Sequence, residues 1–296
     1  MAMTTTERLA EQHPSHPAAR VVRSLRGLRR LPGWQRIAGL LVLPTASGAF
    51  VVANRSGYFA GDLSSFIDRR MYLFGEYEQE LIEAFIAHLP LDRRGTILDV
   101  GANVGTHSLA FARHFRTVHA FEPNPALWPS FERNVAINGL QNVRLHRLGL
   151  ADKDDELSFH LIEKSNYGLG TFSEVEQYDL PLKSVGKVPV AAGDKHLEET
   201  GVGPIDAIKI DVQGFEPEVI RGLAGTLTRY RPHVWIELGP GTKTKVDTLT
   251  GLQKLVHYPI EAFRFAPARR GLFSTVSLQR TTEDSLEPGD YLVGPA

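Results

Sequence analysis

From residue 96 onward, short apolar runs alternate with longer stretches whose apolar positions recur at helical spacing. The runs 96–100, 117–121, 143–148, 207–211 and 233–238 read as strands, being short and bounded by turn residues. Between them, 106–114, 125–138 (closed by Gly139) and 216–229 read as amphipathic helices. Such alternation predicts a parallel sheet covered on both faces. Upstream, Tyr72, Leu73, Tyr77, Leu81, Phe85, Ile86 and Leu89 give 68–89 helical character, which Pro90 stops. The uncharged run 37–53 is broken by Pro44-Thr-Ala-Ser-Gly48, so it reads as a β-hairpin between 40–43 and 50–53. Between Leu157 and Val190 the alternation fails, and Ser165-Asn-Tyr-Gly-Leu-Gly170 reads as a loop. An insertion there, near the carboxyl ends of the strands, is placed to cover a ligand.

These patterns divide the 296 residues into a polar, disordered leader (1–19), a helical and hairpin extension (20–90) and one α/β domain (91–296). A formal charge of −1 gives no overall field toward nucleic acid, and none is expected as a partner. Cysteine is absent, which excludes disulfides, a thiolate nucleophile and cysteine-based metal sites, and suits the cytoplasm. The run 37–53 falls just under the ~18 residues of a spanning helix. More than thirty mostly polar residues precede it, which fits a signal peptide poorly. Val21, Val22, Leu25 and Leu28 recur at helical spacing among Arg23, Arg26, Arg29 and Arg30. This short basic amphipathic helix either makes weak contact with an anionic membrane surface or acidic partner, or docks on its own domain with a solvated face.

The most informative chemistry lies in Ile97-Leu-Asp-Val-Gly-Ala-Asn-Val-Gly105, where a buried strand ends in an acid, turns on glycine and enters a helix. A dinucleotide fingerprint needs glycine where this chain has Asn103 and Thr106, so it fails. Asp99 also opposes a pyrophosphate at that helix start. S-adenosylmethionine lacks phosphate and carries a cationic amino group and sulfonium, which Asp99, Gly101, Asn103 and Gly105 suit; the plain alternative is a glycine turn capped by Asp99. Glu122, ending the next strand about 20 residues on, is placed to accept both ribose hydroxyls, or else caps a helix. After the third strand, Leu150 is expected to pack on the adenine and Asp152 to accept from its amino group, unless Asp152 is a solvated acid beside Lys153, Asp154 and Asp155.

Taken together, Asp99-Val-Gly-Ala-Asn-Val-Gly105, Ala120-Phe-Glu-Pro-Asn-Pro125, Ile208-Lys-Ile-Asp-Val-Gln-Gly-Phe-Glu216, Arg231-Pro232 leading to Glu237, and Phe74-Gly-Glu-Tyr-Glu78 resemble the FkbM-type methyltransferases. The resemblance implies a Rossmann-like class I methyltransferase fold with a mostly parallel seven-stranded sheet, and O-methylation of a natural-product or glycan hydroxyl. It leaves the acceptor and the oligomeric state open. Two departures stand out: Gln213 replaces a common glutamate, and Ala192-Gly193-Asp194 replaces a Leu-Asp pair.

Methyl transfer needs alignment of acceptor, methyl carbon and sulfur, and removal of a proton. Lys209 and Asp211 share a strand face by two-residue alternation. Asp211 is the first choice for general base or hydroxyl ligand, Glu237 the second, and the alternative is a structural Lys209–Asp211 ion pair. Glu216 reads as a cap of its own helix. Oxygen ligation of a metal by Asp211, Glu216 and Glu237 is conceivable but nothing in their spacing demands it, so none is expected. His107 borders the acceptor pocket or simply packs; His114, His119, His146 and His160 read as ordinary positions. The turn Asp211-Val-Gln-Gly214 lacks the Pro-Pro-aromatic signature of planar-nitrogen methylation. An aliphatic-amine acceptor, or cofactor binding without transfer, are the competing functions.

Overall fold

The computed structural model describes residues 10–29, 31, 33–42, 46–162, 170–172, 182–239, 248–256, 258–270, 273–282 and 286–296. Two compact units share the chain, 1–77 and 78–296. In the first, helices α1 (Pro17–Ser24) and α2 (Trp34–Leu41) precede the hairpin β1 (Ala49–Asn54) and β2 (Gly57–Asp62), followed by α3 (Phe66–Phe74). The hairpin exists, but its turn falls at residues 55–56, and Leu40–Leu41 end a helix instead of forming its first strand. Pairing with β2 places the strand at β1, which uses Phe50 and Val52 to face the unit's core; residues 43–45 lie outside the described residues. From Ala10 the expected leader is held in place. Gln12 bridges Val51 in antiparallel fashion, Glu11 accepts from the Ala53 amide at 2.7 Å, and Pro17 opens α1. The helical stretch 68–89 is two helices, broken after Phe74 by Gly75 in the left-handed region (φ +75°).

The second unit begins with α4 (Gln79–His88) and continues through β3 (Thr96–Val100), α5 (Thr106–Phe111), β4 (Thr117–Phe121), α6 (Trp128–Ile137) and β5 (Val143–His146). Then come β6 (Gly149–Ala151), β7 (Asp155–Ile162), β8 (Gly170–Thr171), β9 (Leu182–Ala192) and α7 (Gly193–Glu199). The chain closes with β10 (Ala207–Ile210), α8 (Glu216–Gly222), α9 (Ala224–Tyr230), β11 (His233–Leu238), α10 (Leu249–Val256) and strands β12 (Ile260–Arg270), β13 (Phe273–Thr281) and β14 (Gly289–Pro295). Among the described residues no helix is long and apolar enough to cross a membrane.

The main sheet has the order β13-β12-β14-β11-β10-β3-β4-β5. Its five strands from β11 to β5 run parallel, and three antiparallel strands extend the β11 edge. This is the expected class I layout, lengthened to eight strands by β13 hairpinning onto β12. Alternation sends Ile97, Val118, Ala207 and Trp235 to one face, where Phe85 of α4 and Phe111 of α5 cover them. Leu98, Val100, Ile208, Ile210, Val234 and Ile236 go to the other, under Val219, Ile220, Leu227 and Leu252. Each fully buried Val, Leu, Ile or Phe among them stabilises the fold by roughly 1.5–3 kcal/mol relative to exposure. The irregular stretch after Leu157 contains β-structure: β7 and β9 pair antiparallel along their length within a second sheet, β6-β9-β7-β8. Residues 163–169, most of the expected loop, lie outside the described residues. The second sheet meets α8 closely, since a Cβ on Gly222 would lie 1.8 Å from the Ala151 carbonyl oxygen.

Three histidines far apart in sequence are brought into line on the α7 side of the sheet. His119 Nδ1 lies 2.9 Å from His146 Nε2, and His146 Nδ1 lies 2.9 Å from His196 Nε2. Neutral rings satisfy both contacts, each pairing one donor nitrogen with one acceptor nitrogen. Burial pushes His119 and His146 down to about 4. A depressed histidine pKa favours the native state at high pH, so its stabilisation is complete above about 6.5 and is lost as pH falls toward 4. We expect thermal stability to drop over that window, by on the order of 3 kcal/mol for the cluster. His146→Gln should flatten the melting-temperature profile; a wild-type profile already flat from pH 7 to pH 5 rules this out.

Candidate active site

The carboxyl ends of β4, β3, β10 and β11 stand side by side and carry a group of buried and half-buried polar side chains. Asp99, the penultimate residue of β3, has its side chain fully buried. Its Oδ2 accepts from the Ser108 hydroxyl at 2.5 Å, while Oδ1 has no partner among the described residues. The following turn is shaped by packing as much as by ligand access. Gly101 sits at φ +86°, and a Cβ there would lie 1.9 Å from the Asp211 carbonyl oxygen. Asn103 occupies the left-handed region at φ +53°, which asparagine tolerates, and Gly105 (φ +90°) leads into α5.

Glu122, just past β4, is buried against this turn. Its Oε2 accepts from the Asn103 amide and its Oε1 from the Asn124 amide, each at 2.8 Å. Burial outweighs those two donors and pushes its carboxyl up to about 7. Leu150 is packed into the core with Leu98 and Phe121, so the expected stacking on a base finds no open surface there. Asp152 is 44% exposed and faces Arg221 at 3.9 Å.

On β10, Lys209 lies level with Asp99 on one side and Trp235 on the other, so the three side chains share a face. Its Nζ is 3.1 Å from Asp211 Oδ2 and 5.9 Å from the centre of the Trp235 ring. Lys209 is only 2% exposed whereas Asp211 is 27% exposed, so only the carboxylate reaches outward. Burial opposes the lysine's charge, but Asp211 and Asp99 hold it protonated. Burial likewise works against the Asp211 anion; Lys209, with hydrogen bonds from Glu237 and Gln213, overrides it and keeps Asp211 ionised. The Asp211 charge, with burial, drives Glu237 far above the carboxylate range. The two acids therefore hold one proton between them. Gln213, held at φ +54°, donates its amide to Asp211 Oδ1 (2.8 Å) and Glu237 Oε2 (3.2 Å). The departure from glutamate at this position thus supplies a neutral donor where a third carboxylate would repel the pair.

Glu216 points elsewhere. Its oxygens accept from the Val212 and Gly214 amides at 3.0–3.1 Å, stapling the turn between β10 and α8. Asp194, from the second departure, caps α9 through the Gly225 and Thr226 amides.

Asp290 belongs to the same group of acids but escaped the sequence reading. It pairs in register with Glu237 across β11 and β14, accepts from Trp235 Nε1 at 2.8 Å, and is pushed up to about 6 by burial. The signal was Pro288-Gly289 followed by the apolar run Tyr291-Leu-Val293, a turn and strand. His107 is buried edge-on to Trp235, with Nε2 3.1 Å from Glu78 Oε2. Asp99, Glu122, Lys209, Asp211 and Glu237 thus gather at one end of the sheet, while Leu150 is packed into the core and Asp152 lies near the surface beside Arg221. Acids dominate, with one buried lysine and an unpartnered carboxylate oxygen. That set fits a phosphate-free ligand bearing cationic groups and hydroxyls.

Residues 99–255, over half the chain, match the family described as Methyltransferase FkbM domain. Methyltransferase 1 of Beauveria bassiana is 28% identical over 148 residues, covering 43% of this chain and 57% of that protein. Hexuronic acid methyltransferase AglP of Haloferax volcanii is 28% identical over 169 residues, covering 57% and 65%. The 2-O-methyltransferase NoeI of Sinorhizobium fredii is 28% identical over 152 residues, covering 46% and 60%. The chain therefore spans less than two thirds of the length of these relatives.

Proposed function

Because the chain belongs to the FkbM methyltransferase family, we propose that it transfers a methyl group from S-adenosylmethionine to a hydroxyl of a glycan or small natural product. The observation carrying this reading is the line of acids at four adjacent strand ends: the unpartnered Asp99 Oδ1, Glu122, and the one-proton pair Asp211–Glu237. Two relatives whose names specify a hexuronic acid and a 2-O position support a sugar-type hydroxyl. In this reading 91–296 is the cofactor-binding domain.

S-adenosylmethionine supplies a methyl carbon already activated by its sulfonium. Asp99 accepts from the cofactor's ammonium, with Gly101, Asn103 and Gly105 forming the turn around it. Glu122 accepts the ribose hydroxyls, and Asp152 accepts from the adenine amino group. Asp211 would accept a hydrogen bond from the acceptor hydroxyl and so fix its orientation. On methyl transfer the hydroxyl proton would go to the Asp211 carboxylate, the outward-reaching end of its pair with Lys209. Lys209 is a positioning residue, too buried to meet the acceptor. A hydroxyl keeps lone pairs while protonated, whereas an alkylammonium has none and requires a strong base. Asp211, neutralised by Lys209, is a weak base, which favours oxygen over an aliphatic amine.

Calorimetric titration with S-adenosylhomocysteine, with NADH as control, tests the cofactor. We expect roughly micromolar binding of the first and none of the second. Ribose hydroxyls donate to the ionised form of Glu122, whose unliganded pKa is about 7. Affinity should therefore be nearly full at pH 8 and above and fall about tenfold between pH 8 and pH 6. Glu122→Ala should weaken binding by at least about tenfold and abolish that pH dependence. Folded protein that ignores S-adenosylhomocysteine would end the methyltransferase reading; a pH-independent affinity would remove only the ribose role of Glu122.

A further inference from the structure

We propose that the N-terminal unit docks on an anionic lipid surface through the exposed faces of α1 and α2. The charge asymmetry is the first observation. Residues 1–77 hold ten basic and five acidic residues, whereas the remainder has the acidic excess. Between Glu11 and Asp62 there are seven arginines and no carboxylate at all. Some of these serve the fold. Arg23 is buried and donates to the Tyr72 and Ala53 carbonyls, and Arg29 pairs with Glu76 at 2.6 Å. Arg20, Arg26 and Arg36 are exposed on α1, just after it, and on α2.

The second observation is apolar and independent of charge. Helix α2 buries only Ala38 of its eight residues, leaving Ile37, Leu40 and Leu41 exposed at 51%, 77% and 52%. These three share one helical face by i, i+3, i+4 spacing. On α1 and the turn after it, Val21, Leu25 and Leu28 are exposed at i, i+4, i+7, and α1 packs against α2. Phe66 is exposed beside Arg70, which stacks on its ring and hydrogen-bonds Gln35 of α2.

Large aliphatic side chains interleaved with arginines are what an interfacial helix presents to acyl chains and phosphate headgroups. RNA would use the arginines but gains nothing from isoleucine and leucine. A second copy would cover the leucines, but a two-fold contact sets the same arginines against one another.

Vesicle flotation of the full chain tests the proposal. We expect binding to mixed phosphatidylcholine–phosphatidylglycerol vesicles, little binding to phosphatidylcholine alone, and weakening by salt. Arg36→Gln should reduce partitioning about fivefold. The exposed triple variant Ile37→Gln/Leu40→Gln/Leu41→Gln should reduce it by about tenfold or more, with an unchanged circular dichroism spectrum. The proposal is overturned if wild-type protein does not float with anionic vesicles at low salt. It is equally overturned if the triple variant binds like wild type, or if it binds RNA through the arginines without lipid binding. A stable dimer in sedimentation that the triple variant dissolves, with no vesicle binding, assigns the face to self-association instead.

Discussion

Replacing Asp211 by asparagine should slow methyl transfer by about 10²–10⁴-fold while leaving S-adenosylhomocysteine affinity nearly unchanged. The exchange is almost isosteric and removes the carboxylate at the only partly exposed end of the Lys209–Asp211 pair. It should also cost less stability than a buried ion pair usually does. Glu237 is held protonated by the Asp211 charge. Once that charge is gone Glu237 ionises, and the negative charge stays within the pair. The double variant Asp211→Asn/Glu237→Gln denies Lys209 both acids. It should lose about 3–5 kcal/mol in urea unfolding, far more than the sum of the single variants. A rate change under about tenfold for Asp211→Asn would return that residue to a structural role and make Glu237 the leading proton acceptor. Additive single-variant stabilities would refute the shared proton.

Gly101→Ala should be among the most damaging single methyls in the second unit. The new Cβ would sit 1.9 Å from the Asp211 carbonyl oxygen at φ +86°, so the turns after β3 and β10 must separate. Strain and overpacking together cost about 3 kcal/mol or more, a melting-temperature loss of roughly 6–12 °C for a unit of this size. S-adenosylhomocysteine binding should vanish with it, because Asp99, Asn103 and Glu122 all hang on that turn. Gly139→Ala is the control. It shares a positive φ (+61°) but has nothing within 4 Å of the added carbon, so only the backbone term of about 1–2 kcal/mol applies. Equal losses for the two variants would mean that the close approach of the two strand-end turns is not real.

The local code of the chain was enough to determine the parallel core and the positions of Asp99, Glu122, Lys209 and Asp211. Buried parallel strands are continuous apolar runs, so an acid or lysine within one stands out against its neighbours. Two-residue alternation then puts Lys209 and Asp211 on one face with no knowledge of the fold. Elements whose identity depends on a distant partner were not legible in this way. The uncharged run 37–53 has apolar content compatible with strand or helix, and only pairing of β1 with β2 assigned it. β7 and β9 lack a clean alternation because their ladder shifts register between Phe159 and His160.

What only the tertiary structure decided is which polar groups meet. The proton shared by Asp211 and Glu237 joins two strand ends through Gln213, which reaches Glu237 across 24 residues of chain. Asp290 reaches the same group from the last strand because antiparallel register sets it opposite Glu237. The line His119–His146–His196 spans 27 and then 50 residues. Sequence spacing encodes periodicity within an element, whereas protonation depends on burial and on charges a few ångströms away through space. The identities of the acids were therefore readable from the chain, and their protonation states came only with the fold.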